Sequence, residues 1–239
     1  MELFKNITKI LKVDQYRKNP DNIGLSNNQQ VALNIGAINA EQTMCYYDSL
    51  ETGVNKQKTV KNLKEIYGIN GSESAVDTLD WLLNRGYTVC FEAIKHAIQL
   101  NTIDIDYVGF LLSEQMNIDQ YFQNLNESVD TLIKNKFIDD KKDIAKLSID
   151  AWDMSCLVNC ARRCYDLAYI SEEQAWRYIY NAYMQCNEIF DSWTSFASSY
   201  MIGRAMCLGA GIQLDELIVI TKELLKDENS PWRLYLLKE

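Results

Sequence analysis

The chain has 239 residues, 47% of them hydrophobic and 24% charged, with only 2 prolines and 10 glycines. That composition excludes global disorder and a loop-rich β-sandwich, and it suits one large helical domain. The net charge of −9, with no basic stripe, argues against nucleic acid as a partner, because phosphate contacts need clustered Lys and Arg.

In chain order, residues 1–18 carry Leu3, Phe4, Ile7, Ile10 and Leu11 at helical spacing among Lys5, Lys9, Lys12, Arg17 and Lys18. This basic amphipathic segment is either a helix docked on its own domain or a contact with a membrane surface. With the polar stretch Asn19 to Asn28, which contains Pro20 and Gly24, it makes residues 1–25 a segment and linker ahead of a single domain over 26–239.

Ser26 predicts the cap of a helix over about 28–48. Further helices are expected near 58–67, ending at Gly68, and after Ser72, along Val76, Leu79, Leu82 and Leu83 to Gly86. Phe91, Ile94 and Ile98 continue the pattern. Asp104, Asp106 and Glu114 lack the spacing of a calcium loop. Helices follow near 118–136 and 139–168, then from the Ser171/Gln174 capping box to about Ile189. Two more run from Asp191 or Ser192 to Gly209 and from Leu214 to Leu225, before the turn Ser230-Pro231-Trp232.

The 139–168 helix is apolar nearly all round and should run through the middle of the domain. Ile144, Leu147, Ala151, Met154, Ser155, Val158, Ala161 and Tyr165 share one stripe; Cys156, Cys160 and Cys164 lie opposite. Arg162 falls on the apolar stripe and Asp153 among the cysteines, so the two should have different partners. Arg204 repeats the oddity on a later helix.

Asp153, Arg162, Glu172, Glu173, Asp191 and Arg204 are the candidate polar cluster, surrounded by Trp152, Trp176, Trp193 and Tyr200. The cluster is either a pocket for an anion or a structural ion-pair network. No metal or cofactor is expected: one histidine, His96, and cysteines at i, i+4, i+8 do not make a zinc site. No nucleophile motif accompanies His96, and Gly209-Ala210-Gly211 is not a phosphate loop. Seven cysteines, no signal peptide and no transmembrane stretch suit a reducing cytoplasm.

Trp152-Asp153, Asn159, Ala161-Arg162 and the run Tyr169 to Trp176 resemble the bacterial domain of unknown function 1266 family. Phe190 to Trp193, Tyr200, Gly203-Arg204, Ser230 to Arg233, and upstream Tyr67-Gly68-Ile69 and Leu79 to Leu82 with Gly86, extend the likeness over about 60–237. The resemblance implies a mainly helical protein, no stated activity, and weight on Asp153, Arg162, Glu173, Asp191 and Arg204. It also marks two departures: an arginine is common in the family where Cys156 stands, and a histidine where Tyr87 stands.

The leading expectation is a non-catalytic protein-binding module, in its sharpest form an immunity-like protein covering a basic toxin. The alternative is a small-anion-binding protein or enzyme built on the Arg/carboxylate cluster.

Overall fold

The computed structural model describes residues 15–22, 24–100 and 118–238, and for residues 96–100 the backbone only. Most of the basic segment 1–18, the acidic stretch 102–117 and the His96 side chain therefore lie outside the described residues. The elements are α1 (Asn27–Asn34), α2 (Ala37–Thr43), α3 (Lys56–Tyr67), α4 (Ser72–Asn84), α5 (Thr88–Leu100) and α6 (Ile118–Lys134). A 3-10 turn (Lys141–Lys146) leads into α7 (Asp150–Asp166), α8 (Glu172–Ile189), α9 (Trp193–Leu208), α10 (Ile212–Lys226) and α11 (Pro231–Leu234). Among the described residues there is no strand, and no helix is long and apolar enough to cross a membrane.

Helix α7 is the axis of the domain. Helices α8, α9 and α4 pack along it, and α2 and α3 close its remaining sides. Thirteen of its seventeen residues are buried, Asp153, Arg162 and Arg163 among them. The expected helix over 139–168 is shorter at its front end. Asp140 caps a separate 3-10 turn, Leu147 is extended, and Ile149 leads into α7. The apolar periodicity crosses that break because Ile144 and Ile149 are buried on either side of it.

The helix expected over about 28–48 is likewise two helices. The chain turns at Ile35-Gly36. A Cβ on Gly36 would lie 2.9 Å from Val158 Cγ1, so glycine lets the turn press against α7. Helix α3 starts earlier than the apolar pattern suggests, because Asn55 caps it by accepting from Lys58 N–H. Ser72 opens α4 rather than capping it.

The capping boxes at Ser26/Gln29 and Ser171/Gln174 form, and Ser192 pairs with Ser195 in a third. At the crossing of α7 and α9, a Cβ on Gly203 would collide with the Cβ of Trp152. The stretch read as a linker is docked: Asn19 bonds to Asp48, Ser49 and Glu51, and Arg17 donates to the carbonyls of Met44 and Gly53.

Candidate functional site

Each side of α7 does something different with its polar residues. Arg162, 2% exposed, sends its guanidinium into the loop between α2 and α3. It donates to the backbone carbonyls of Tyr46, Ser49, Leu50 and Glu51. A loop that would otherwise bury unmet carbonyls is thereby folded around one cation. Asp166 holds the same loop, accepting from the N–H and hydroxyl of Thr52.

Asp153 faces another way and caps α5. Its carboxylate accepts from Tyr87 N–H at 3.0 Å, Thr88 N–H at 2.9 Å and Thr88 Oγ1 at 2.8 Å. These are donors that the start of a helix leaves unmet. Gly86 (φ +53°) leaves room: a Cβ there would run into the carboxylate. Burial pushes the Asp153 carboxyl up to about 7, against the three hydrogen bonds, which pull it down. On the same face as Arg162, two turns earlier, Ser155 accepts from Asn39 Nδ2 at 3.1 Å, while Tyr200 donates to Asn39 Oδ1 at 2.9 Å.

The remaining candidates stand apart. Arg204 donates to the carbonyl of Gly209 and closes the end of its own helix. Glu172 and Glu173 are exposed in the first turn of α8, and Asp191 is exposed and paired with Lys238 at 3.0 Å. No hydrogen bond or ion pair joins any two of Asp153, Arg162, Glu172, Glu173, Asp191 and Arg204. Trp193 stacks on Trp232 and Trp176 lies against Tyr180. Asp153, Arg162, Arg204 and Asp191 have separate partners, Glu172 and Glu173 are exposed, and the six do not converge on one pocket.

A cleft does exist, on a third side of α7, and has a volume of about 250 Å³. Trp152, Cys156, Asn159 and Arg163 form its floor, at i, i+4, i+7 and i+11. One wall is Asn39, Gln42 and Thr43 of α2; the other is Asn62, Leu63, Ile66 and Tyr67 of α3. Tyr87, Tyr121 and the end of α9, Cys207 and Leu208, close the Trp152 end. Both positions where the chain departs from its resemblance, Tyr87 and Cys156, line this cleft.

Arg163 is 5% exposed, and its Nε donates to Asn159 Oδ1 at 3.1 Å. Among the described residues no carboxylate pairs with it. A buried cation normally has a counter-ion, and this one faces a cleft instead. At the other end Trp152, 8% exposed, buries an indole N–H beside the Cys207 thiol. No acceptor meets that N–H in hydrogen-bonding geometry among the described residues.

The other described titratable groups around the cleft are held neutral. Burial pushes the thiol of Cys156 up to about 12 and that of Cys207 well above its usual range. It raises the phenols of Tyr67 and Tyr87, and lifts Tyr121 to about 12. Their neutral forms offer hydrogen bonds and no thiolate nucleophile. Cys45, Cys156, Cys160, Cys164, Cys186 and Cys207 are free thiols.

Arg163 escaped the sequence reading because it follows Arg162 and sits near the end of the helix, where a cation is usually wet. The signal that could have found it is the i, i+4, i+7, i+11 row of Trp152, Cys156, Asn159 and Arg163.

Fold and site together define an all-helical protein with a donor-rich cleft along its central helix. The chain belongs to the family described as "Protein of unknown function (DUF1266)", whose model matches residues 62–235. No curated protein and no solved structure matches the chain.

Proposed function

We propose that this is a small-ligand-binding protein, without catalytic chemistry at the site, and that the α7 cleft holds an anionic ligand. The supporting observation is Arg163: a buried guanidinium that no carboxylate among the described residues meets, lining a cleft whose other described titratable groups are neutral. A charge in that position costs several kcal/mol unless something anionic offsets it. The volume, about 250 Å³, suits a small metabolite. This keeps the anion-binding alternative from the sequence and moves it from Arg162 and Arg204 to Arg163.

The test is thermal unfolding of wild type and Arg163→Gln with a panel of anionic metabolites. A ligand near a hundredfold above its Kd should stabilise the wild type by about 2.7 kcal/mol and leave the variant unmoved. A panel that shifts neither protein, or shifts both equally, contradicts the reading.

A second reading, a module for a basic protein partner such as a toxin, has one observation in its favour. Arg162, Arg163 and Arg204 are interior, so the surface is more acidic than the net charge of −9 suggests. Such a surface would steer a basic partner in a salt-dependent way. Either reading takes the protein to act in the cytoplasm, which the free thiols favour.

A further inference from the structure

The row on α7 that floors the cleft has two chemically different ends. Trp152 and Arg163 are eleven residues apart on one helix, about 16 Å at 1.5 Å per residue. At one end stands Arg163. Asn159 commits its Oδ1 to Arg163 Nε, so its amide NH₂ and the two Nη groups of the arginine remain as donors into the cleft. No Lys, His, Asp or Glu is among the described lining residues, which offer a single positive charge. At the other end Trp152, Tyr87, Tyr121 and Leu208 make an uncharged, largely aromatic enclosure. Among the described residues there, the Trp152 indole N–H is the one fully buried polar atom without a hydrogen-bond partner.

Building on the cleft as a ligand site, we infer that its ligand is an elongated monocarboxylate. The carboxylate sits on Arg163 and Asn159, and an apolar or aromatic tail lies along Cys156 toward Trp152. One neutral acceptor on that tail, such as a hydroxyl or carbonyl oxygen, receives the indole N–H. The charge count favours a carboxylate over a phosphate: a planar fork on a planar carboxylate satisfies one guanidinium in two parallel bonds. A doubly charged phosphate would be left half-neutralised by described lining residues that hold no second cation. The separation of the two ends favours length, because a short acid such as acetate would leave Trp152 unmet.

The experiment is a binding ladder read by tryptophan fluorescence and calorimetry on the full chain. Its members are hydroxyphenyl-alkanoates from acetate through butyrate and hexanoate to octanoate. Each is compared with its carboxamide and with its phenyl counterpart lacking the hydroxyl. Affinity should rise with chain length to a maximum, and the carboxamide should bind at least about tenfold more weakly. Arg163→Gln should erase the difference between acid and amide. Trp152→Phe should erase the preference for the hydroxyl. Asn159→Asp sets a carboxylate beside Arg163 and should abolish binding in a protein that remains folded, so a misfolded arginine variant does not decide the matter.

Equal binding of acid and amide overturns the carboxylate assignment. So does a ladder with no binding member. If a different anion then stabilises the wild type and not Arg163→Gln, the cleft remains a ligand site and only the ligand class is wrong. If nothing does, the proposed function falls with it.

Discussion

Arg162 and Arg163 are sequence neighbours, both at most 5% exposed, and they differ in what meets their charge. Arg162 has four backbone carbonyls, and Arg163 has one amide oxygen. The sequence marks the first, because it interrupts an apolar stripe, and hides the second, because burial there depends on α2 and α3 folding over it. Asp153 was also marked by its place on a buried face, but its partners were not: two of its three donors are backbone N–H groups of Tyr87 and Thr88, which have no side-chain signature, and the third is the Thr88 hydroxyl.

Its carboxyl is raised to about 7 in the folded protein, against roughly 4 in an unfolded chain. Between those values the folded state holds a proton that the unfolded state has released. Stability should therefore fall as pH rises from about 4 to about 7, and level off above. Glu41, also pushed up to about 7 by burial, adds to the same slope. In urea titrations at successive pH values, Asp153→Asn should flatten the decline in part, and adding Glu41→Gln should flatten it further. A stability that climbs through this window, or a slope that Asp153→Asn leaves unchanged, contradicts the assignment.

At the scale of elements, local chemistry was the legible part. Ser26, Ser171 and Ser192 cap helices where their spacing to Gln29, Gln174 and Ser195 allows a reciprocal pair. Gly68, at φ +70°, ends α3 as expected. The breaks at Ile35-Gly36 and Leu147 to Ile149 were not legible, because hydrophobic periodicity records which residues are buried and not whether the backbone between them is continuous. At Gly36 the cause lies in another element, the Val158 side chain. The cleft is missed for the same kind of reason: it needs α2 and α3 to lie beside α7, and nothing local specifies that.

For the whole molecule, the family match begins at residue 62, but the core does not. Asn39 bonds to Ser155, Asn34 donates to the carbonyl of Pro231, and Trp232 donates back to the carbonyl of Asn34. The loop that surrounds Arg162 also precedes residue 62. A fragment of residues 62–239 should therefore lose cooperative unfolding, since Arg162 would be left without any of its four acceptors. Calorimetry of that fragment should show no sharp transition; a single transition close to that of the full chain would contradict it.

The claim that one arginine ties the fold and the next awaits a ligand is tested most directly by replacing each with an apolar residue of similar length. Unfolding free energies of Arg162→Met and Arg163→Met would be measured in ligand-free protein. Arg162→Met leaves four carbonyls, two of them in buried bonds, without their donor and should cost about 3–5 kcal/mol. Arg163→Met removes a charge that has no counter-ion among the described residues and should be neutral or stabilising, since functional sites commonly hold groups that the fold alone would not choose. If Arg163→Met is as destabilising as Arg162→Met, Arg163 is a structural tie and the cleft is not its reason for being there.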